Sequence, residues 1–180
     1  MCGIFGSIST SEVSLSDIKI LARHSEQRGK DSSGYFCHDI DKYMLVKATN
    51  PISELIKKNK PPLTKFIMGH SRLITDGLSD NQPVYRDDIC VIHNGIVVNH
   101  EELWDEIDLE RTLEIDTEII SGIAASMLVD TVDLSEELIN EIPKQILKKC
   151  SGVVACAIAL PKYGKLLLFS NNGSLYYGSK

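Results

Sequence analysis

Apolar positions along this chain follow two rhythms, and the switches between them mark its elements. Gly3-Ile4-Phe5-Gly6-Ser7-Ile8 is a short apolar run between glycines, the pattern of a buried strand. Leu15, Ile18, Leu21 and Ala22 then share one face at helical spacing, behind a capping pattern at Ser14-Leu15-Ser16-Asp17. Gly29 is placed to end that helix. A polar turn from Gly29 to Gly34 leads into Tyr35-Phe36-Cys37 and Tyr43-Met44-Leu45-Val46, a hairpin around residues 38–41. Pro51 opens a short helix over Ile52 to Lys58. Lys65 to Arg72 is a further strand with a polar end, His70-Ser71-Arg72, and residues 75–83 form a loop.

Strand rhythm returns at Asp88-Ile89-Cys90-Val91-Ile92-His93. Asn94-Gly95 tolerates positive φ at both positions and predicts a tight hairpin turn, with Ile96-Val97-Val98 leaving it. Asn99 caps a helix through Trp104, and Asp116 begins another that reaches about Val129, apolar at Ile119, Ile120, Ile123, Ala124 and Met127. Ser135 caps a helix carrying Leu138, Ile139, Ile142 and Ile146, in which Pro143 predicts a kink or break. The chain closes on strands at Val153–Leu160, Lys165–Phe169 and Leu175–Tyr177, separated by turns at Gly164 and Asn171-Asn172-Gly173. Strands, then helices, then strands, with no repeat or internal linker, predict an α+β sandwich: two mostly antiparallel sheets between helix layers, one domain over residues 1–180.

Composition narrows the classes. Apolar content of 43% and charged content of 24% over 180 residues are ordinary for a globular domain with a sizeable core. A net charge of −6 without a basic block excludes nucleic acid as an expected partner. No stretch approaches the roughly 18 apolar residues of a membrane span, and the start lacks a signal-peptide pattern. A cytoplasmic protein without a membrane partner is expected. Five cysteines, an odd number without a CxxC pair, suggest neither a disulfide framework nor a zinc finger. Cys90 and His93 have metal-like spacing but point to opposite faces of a strand. Neither metal nor cofactor is expected.

Candidate chemistry starts at Cys2. Removal of Met1, normal before a small residue, leaves a thiol and a free α-amine on one residue, the amine having an unperturbed pKa of roughly 7.7–8.0. The bland alternative is a packed cysteine near a terminus. Three polar clusters follow. Arg72, with Thr75 and Asp76 beyond it, ends a buried strand and needs a carboxylate, Asp76 or Asp116, in an internal salt bridge if it has no substrate. Asn94 and Gly95 are either a hairpin turn or an oxyanion hole. Asp116 is either a helix cap or a carboxylate aimed at a substrate ammonium.

Together these stretches resemble the class II glutamine amidotransferase domain, an N-terminal nucleophile hydrolase, as in the glutaminase domains of glucosamine-6-phosphate synthase and asparagine synthetase. The matching pieces are Cys2-Gly3-Ile4-Phe5-Gly6, Arg28-Gly29-Lys30-Asp31-Ser32-Ser33-Gly34, His70-Ser71-Arg72, His93-Asn94-Gly95-Ile96 with Asn99-His100, and Asp116-Thr117-Glu118, in the family's order. The resemblance implies a four-layer αββα sandwich and hydrolysis of L-glutamine to glutamate and ammonia through a Cys2 γ-glutamyl thioester. It implies an oxyanion held by Asn94 and Gly95, a substrate carboxylate clamped by Arg72 with help around Thr75 and Asp76, and a substrate ammonium paired with Asp116. Arg28 and Asp31 would brace the turn around the N-terminus. Leu73-Ile74 and Gln82-Pro83 look like the asparagine-synthetase branch, whereas His93 to His100 looks like the hexosamine branch. The ammonia acceptor stays open between these branches. The expected domain is C-terminally short and carries no synthase domain, so ammonia passes to an acceptor domain or subunit. The alternative is a catalytically silent module of the same fold that binds glutamine or a partner.

Overall fold

The glycine-flanked run at the start is a strand, β1 (Gly3–Ile8), and its neighbour comes from much further along the chain. The computed structural model describes residues 2–39, 42–73 and 80–179. The chain divides into two compact units, Met1–Pro83 and Val84–Lys180.

The first unit runs β1, α1 (Leu15–Glu26), β2 (Ser32–Asp39), β3 (Lys42–Ala48), α2 (Ile52–Lys58) and β4 (Phe66–Arg72). Ser14 caps α1, its hydroxyl accepting from the Asp17 N–H at 3.1 Å. The sheet order is β1-β4-β2-β3, every pair antiparallel. β4 is thus flanked by two strands that precede it, with Gly3 and Ser33 both opposite Ser71. Phe5, Tyr35, Cys37 and Ile67 pack on Ile18, Ala22, Ile52, Leu55 and Ile56 of the two helices. Alternation along β4 puts Ile67, Gly69 and Ser71 on that helix-covered face, and Met68, His70 and Arg72 on the other. β2 starts at Ser32, so the polar stretch read as a turn up to Gly34 is partly strand.

The second unit runs β5 (Val84–Arg86), β6 (Ile89–Val97), α3 (His100–Trp104), α4 (Thr117–Leu128), α5 (Glu136–Lys149), β7 (Gly152–Leu160) and β8 (Lys165–Ser170). Its sheet, β5-β6-β7-β8, is also antiparallel throughout. Val91, Val97, Val154, Cys156, Ile158 and Leu167 form one face, packed on Ile119, Ile120, Ile123, Ile142 and Ile146 of α4 and α5. Each unit therefore contributes one sheet and one helix layer, an α+β architecture in which both sheets are antiparallel.

Several expectations are corrected here. Asn94-Gly95 is not a hairpin turn: β6 continues through it, paired with Ala155 and Val154 of β7. The hairpin lies earlier, between β5 and β6, where Asp87 (φ 47°) and Asp88 (φ 58°) both take positive φ and Arg86 faces Ile89. The helix α5 runs on through Pro143 without a break, held by the burial of Ile142 and Ile146 on either side. Residues 175–177 form no strand, and Tyr176 and Tyr177 are exposed. Asn99 precedes α3 but makes no cap with its side chain. Its Oδ1 accepts from the Ser151 N–H and its Nδ2 donates to the Lys149 carbonyl, joining α3 to the end of α5.

Candidate active site

In the first unit the candidates gather around the start of β1. Gly3 has no room for a side chain, because a Cβ would collide with the Ser25 carbonyl of α1. The buried Ser25 hydroxyl lies 2.6 Å from that of Ser71 and 3.3 Å from the Gly3 carbonyl. Arg28, just past α1, donates from Nε to the Cys2 carbonyl at 2.9 Å. The backbone on both sides of the Cys2–Gly3 peptide is thereby held, while the Cys2 side chain stays partly exposed. Asp31 donates its backbone N–H to the Arg72 carbonyl at 3.0 Å. Arg72 is buried at the end of β4 and donates from Nη1 to the Asp80 carbonyl. Thr75 and Asp76 lie outside the described residues.

The other four cysteines cannot substitute for Cys2. All four are buried. Burial, reinforced by the Asp116 carboxylate and opposed by Lys149, pushes the Cys150 thiol up to about 11. Burial likewise holds Cys156 well above the usual thiol range. Thiols in that state are poor nucleophiles near neutrality.

In the second unit, Asn94 and Gly95 lie near the end of β6. Register places Asn94 on the face away from α4 and α5. Gly95 takes φ 153°, and a Cβ there would collide with the Val153 carbonyl across the ladder. Gly95→Ala is expected to lower stability by about 1–3 kcal/mol through this overpacking, read as a lower denaturant midpoint.

Asp116 occupies the N-cap position of α4, yet its side chain makes no cap bond. Its Oδ2 accepts from the Val97 N–H at 2.8 Å, which fixes it to β6 two residues beyond Gly95. Asp116 and the Asn94-Gly95 pair thus belong to one local arrangement. His93 is buried beneath it, with Nε2 3.0 Å from the Val153 carbonyl and Nδ1 3.4 Å from Thr117 Oγ1. Burial lowers the His93 pKa against the opposing pull of Asp116 and Val153, so the ring is neutral.

Sequence reasoning passed over Arg86 and the role of Glu118. Glu118 is buried and pairs with Arg86 Nη2 at 2.7 Å. It also accepts from the Thr112 hydroxyl and from the backbone N–H groups of Thr112 and Leu113. Burial alone would raise its pKa, but the bonds from Thr112, Arg86 and Leu113 together hold the carboxyl below the usual range. Arg86 also lies 5.5 Å from the Trp104 ring centroid. The contacts tie residues 110–113 to the first turn of α4, directly beside Asp116. The only local signal was an acidic residue in the first turn of a helix, which also fits a solvated face.

A family model described as a glutamine amidotransferase domain matches residues 70–180. The chain is 33% identical, over 184 residues, to glutamine–fructose-6-phosphate aminotransferase [isomerizing] of Methanococcus maripaludis, covering 97% of this chain and 30% of that one. It is 31% identical over 179 residues to the protein of the same name from Zymomonas mobilis, covering 97% and 29%. The chain therefore spans about 30% of the length of these curated relatives. Among solved structures, the glutamine phosphoribosylpyrophosphate amidotransferase of B. subtilis complexed with ADP and GMP shares its fold, with a TM-score of 0.66 at 24% identity, covering 88% of this chain and 35% of that one. A second, described as the allosteric regulatory enzyme of purine biosynthesis, gives 0.68 at 24% identity, covering the same shares.

Proposed function

We propose that this chain, which belongs to the glutamine amidotransferase domain family, hydrolyses L-glutamine to glutamate and ammonia with Cys2 as nucleophile. The observation that carries the reading is the treatment of Cys2. It is the one cysteine left partly exposed, on a backbone held by Arg28 and Ser25. A packing cysteine would need neither.

In this reading the Cys2 α-amine, freed by loss of Met1, takes the thiol proton. The thiolate attacks the side-chain amide carbon, and a C–S bond forms as the carbonyl oxygen becomes an oxyanion. Asn94 and the Gly95 backbone receive that oxyanion; losing one such donor typically costs roughly 2.7–4 kcal/mol of barrier. Collapse breaks the C–N bond, and the α-ammonium returns its proton to the departing nitrogen, which leaves as ammonia. Water then attacks the γ-glutamyl thioester, giving glutamate and restoring the thiol. Arg72 clamps the substrate α-carboxylate, with Thr75 and Asp76 assigned to the same end. Asp116 receives the α-ammonium, and Arg28 and Asp31 brace the terminus. The whole forms a single domain over residues 1–180.

The ammonia then passes to an acceptor. The relatives named as glutamine–fructose-6-phosphate aminotransferases support an aminotransferase acceptor acting on a sugar phosphate. Among the described residues no helix is long and apolar enough to cross a membrane, and we assign the reaction to the cytoplasm. The test is glutamate release from glutamine by protein whose N-terminus is shown by mass spectrometry to be Cys2. Release of glutamate with a trappable Cys2 thioester supports the reading. Glutamine binding without turnover would replace it with the silent module.

A further inference from the structure

One side chain that the reaction as described leaves unused lies directly against the second unit's machinery. The Val153 carbonyl accepts hydrogen bonds only, so the 3.0 Å contact places the proton of neutral His93 on Nε2. Nδ1 is then an acceptor, and Thr117 Oγ1 lies 3.4 Å from it. The same hydroxyl is 3.4 Å from Asp116 Oδ1. On the other side, the Val153 carbonyl is the group that closes the space beside Gly95, and Val153 is the strand partner of Ile96. A Cβ built on Gly95 would lie 2.7 Å from His93 Nε2, so the ring sits directly against that backbone. The single proton of the Thr117 hydroxyl is contested by Nδ1 and the Asp116 carboxylate, so Thr117 does not relay one to the other; His93 meets the Asn94-Gly95 segment through Val153.

We infer that His93 is a positioning residue for the glutaminase reaction, setting the oxyanion donors through its Nε2–H. The inference rests on the glutaminase reading. It makes the two ring nitrogens separable: turnover depends on the Nε2–H and not on Nδ1. A ring that merely fills space has no such division.

The test compares two half-replacements in the Met1-processed full chain, with kcat and KM measured for glutamine. His93→Asn keeps an acceptor near the Nδ1 position and gives up the bond to Val153. Its kcat is expected to fall about 100-fold while KM stays within about twofold. His93→Gln keeps a donor near the Nε2 position and gives up Thr117. Its kcat and KM are both expected to stay within about fivefold of wild type. The inference is overturned if Asn and Gln lower kcat by the same factor, or if the losses simply follow the fall in melting temperature. Should one variant fail to fold, the other decides: an unchanged kcat in His93→Asn, or a kcat lowered about 100-fold in His93→Gln, overturns the inference. Wild-type chain without turnover overturns the glutaminase reading and this inference with it. Wild-type turnover without the split overturns only the inference.

Discussion

Cys2→Ala is expected to release no measurable glutamate from glutamine while unfolding at the same denaturant concentration as the wild type. Removing a nucleophile that forms a covalent intermediate costs at least about 10⁴-fold in turnover. No other thiol can take over, since Cys37, Cys90, Cys150 and Cys156 are all buried. Stability should hold because Cys2 contributes a partly exposed side chain, and the contacts to Arg28 and Ser25 run through the Cys2 and Gly3 backbone carbonyls. Glutamate release and a urea melt on the same preparations give the answer. Turnover in the variant above about one hundredth of wild type would remove Cys2 from the mechanism. Chain that keeps Met1 should behave like the variant, because an acylated nitrogen is no base.

Replacing Glu118 with alanine is expected to cost about 3–5 kcal/mol, much of the roughly 5–15 kcal/mol that holds a domain together. The loss arises because the Arg86 charge is left with little solvent, at 11% side-chain exposure, and the Thr112 and Leu113 N–H groups lose their acceptor. Replacing Arg86 and Glu118 together by leucine should recover most of it, since no unpaired charge remains. Chemical denaturation of the three proteins decides this, and a cost under about 1 kcal/mol for Glu118→Ala would mean that the pair is not a structural pin. The pH dependence has a fixed sign. The folded carboxyl titrates below its unfolded value of about 4.3, so its contribution is complete above that pH and is lost as pH falls through the folded value. Wild type should lose stability in acid more steeply than the double leucine variant.

Local rules read the framework of the chain well where a local rule decided the outcome. Ser14 and Ser135 cap their helices as the serine positions indicated, since a cap depends on residues three apart. The reading failed where a distant partner decided. Asn94-Gly95 has the composition of a turn, but β7 pairs straight across it, and Gly95 is required by the nearby Val153 carbonyl instead. The real turn, Asp87-Asp88, was passed over because aspartate is a weaker positive-φ signal than glycine and β5 has only three residues. Asp116 has the composition of a cap, but its carboxylate is taken by Val97, nineteen positions away in sequence. Among the candidate residues, the sequence marked those whose type is chemically telling: a cysteine at position 2, an asparagine beside a glycine, an arginine closing a buried strand. It could not mark Arg86 with Glu118, or His93 with Thr117, because those pairs are created by the fold.

The pairing of β1 with β4 also sets a timetable during synthesis. β1 has no partner until Arg72 has been made, an interval of roughly 3–13 s at 5–20 residues per second. Throughout that interval β1 is a strand without a neighbour, an edge open to non-native pairing. Once β4 zips on, Ser71 meets Ser25 and the segment behind Cys2 is drawn in. The chain is therefore most exposed to misassociation before the seventy-second residue appears, and β4 is the segment that ends that exposure.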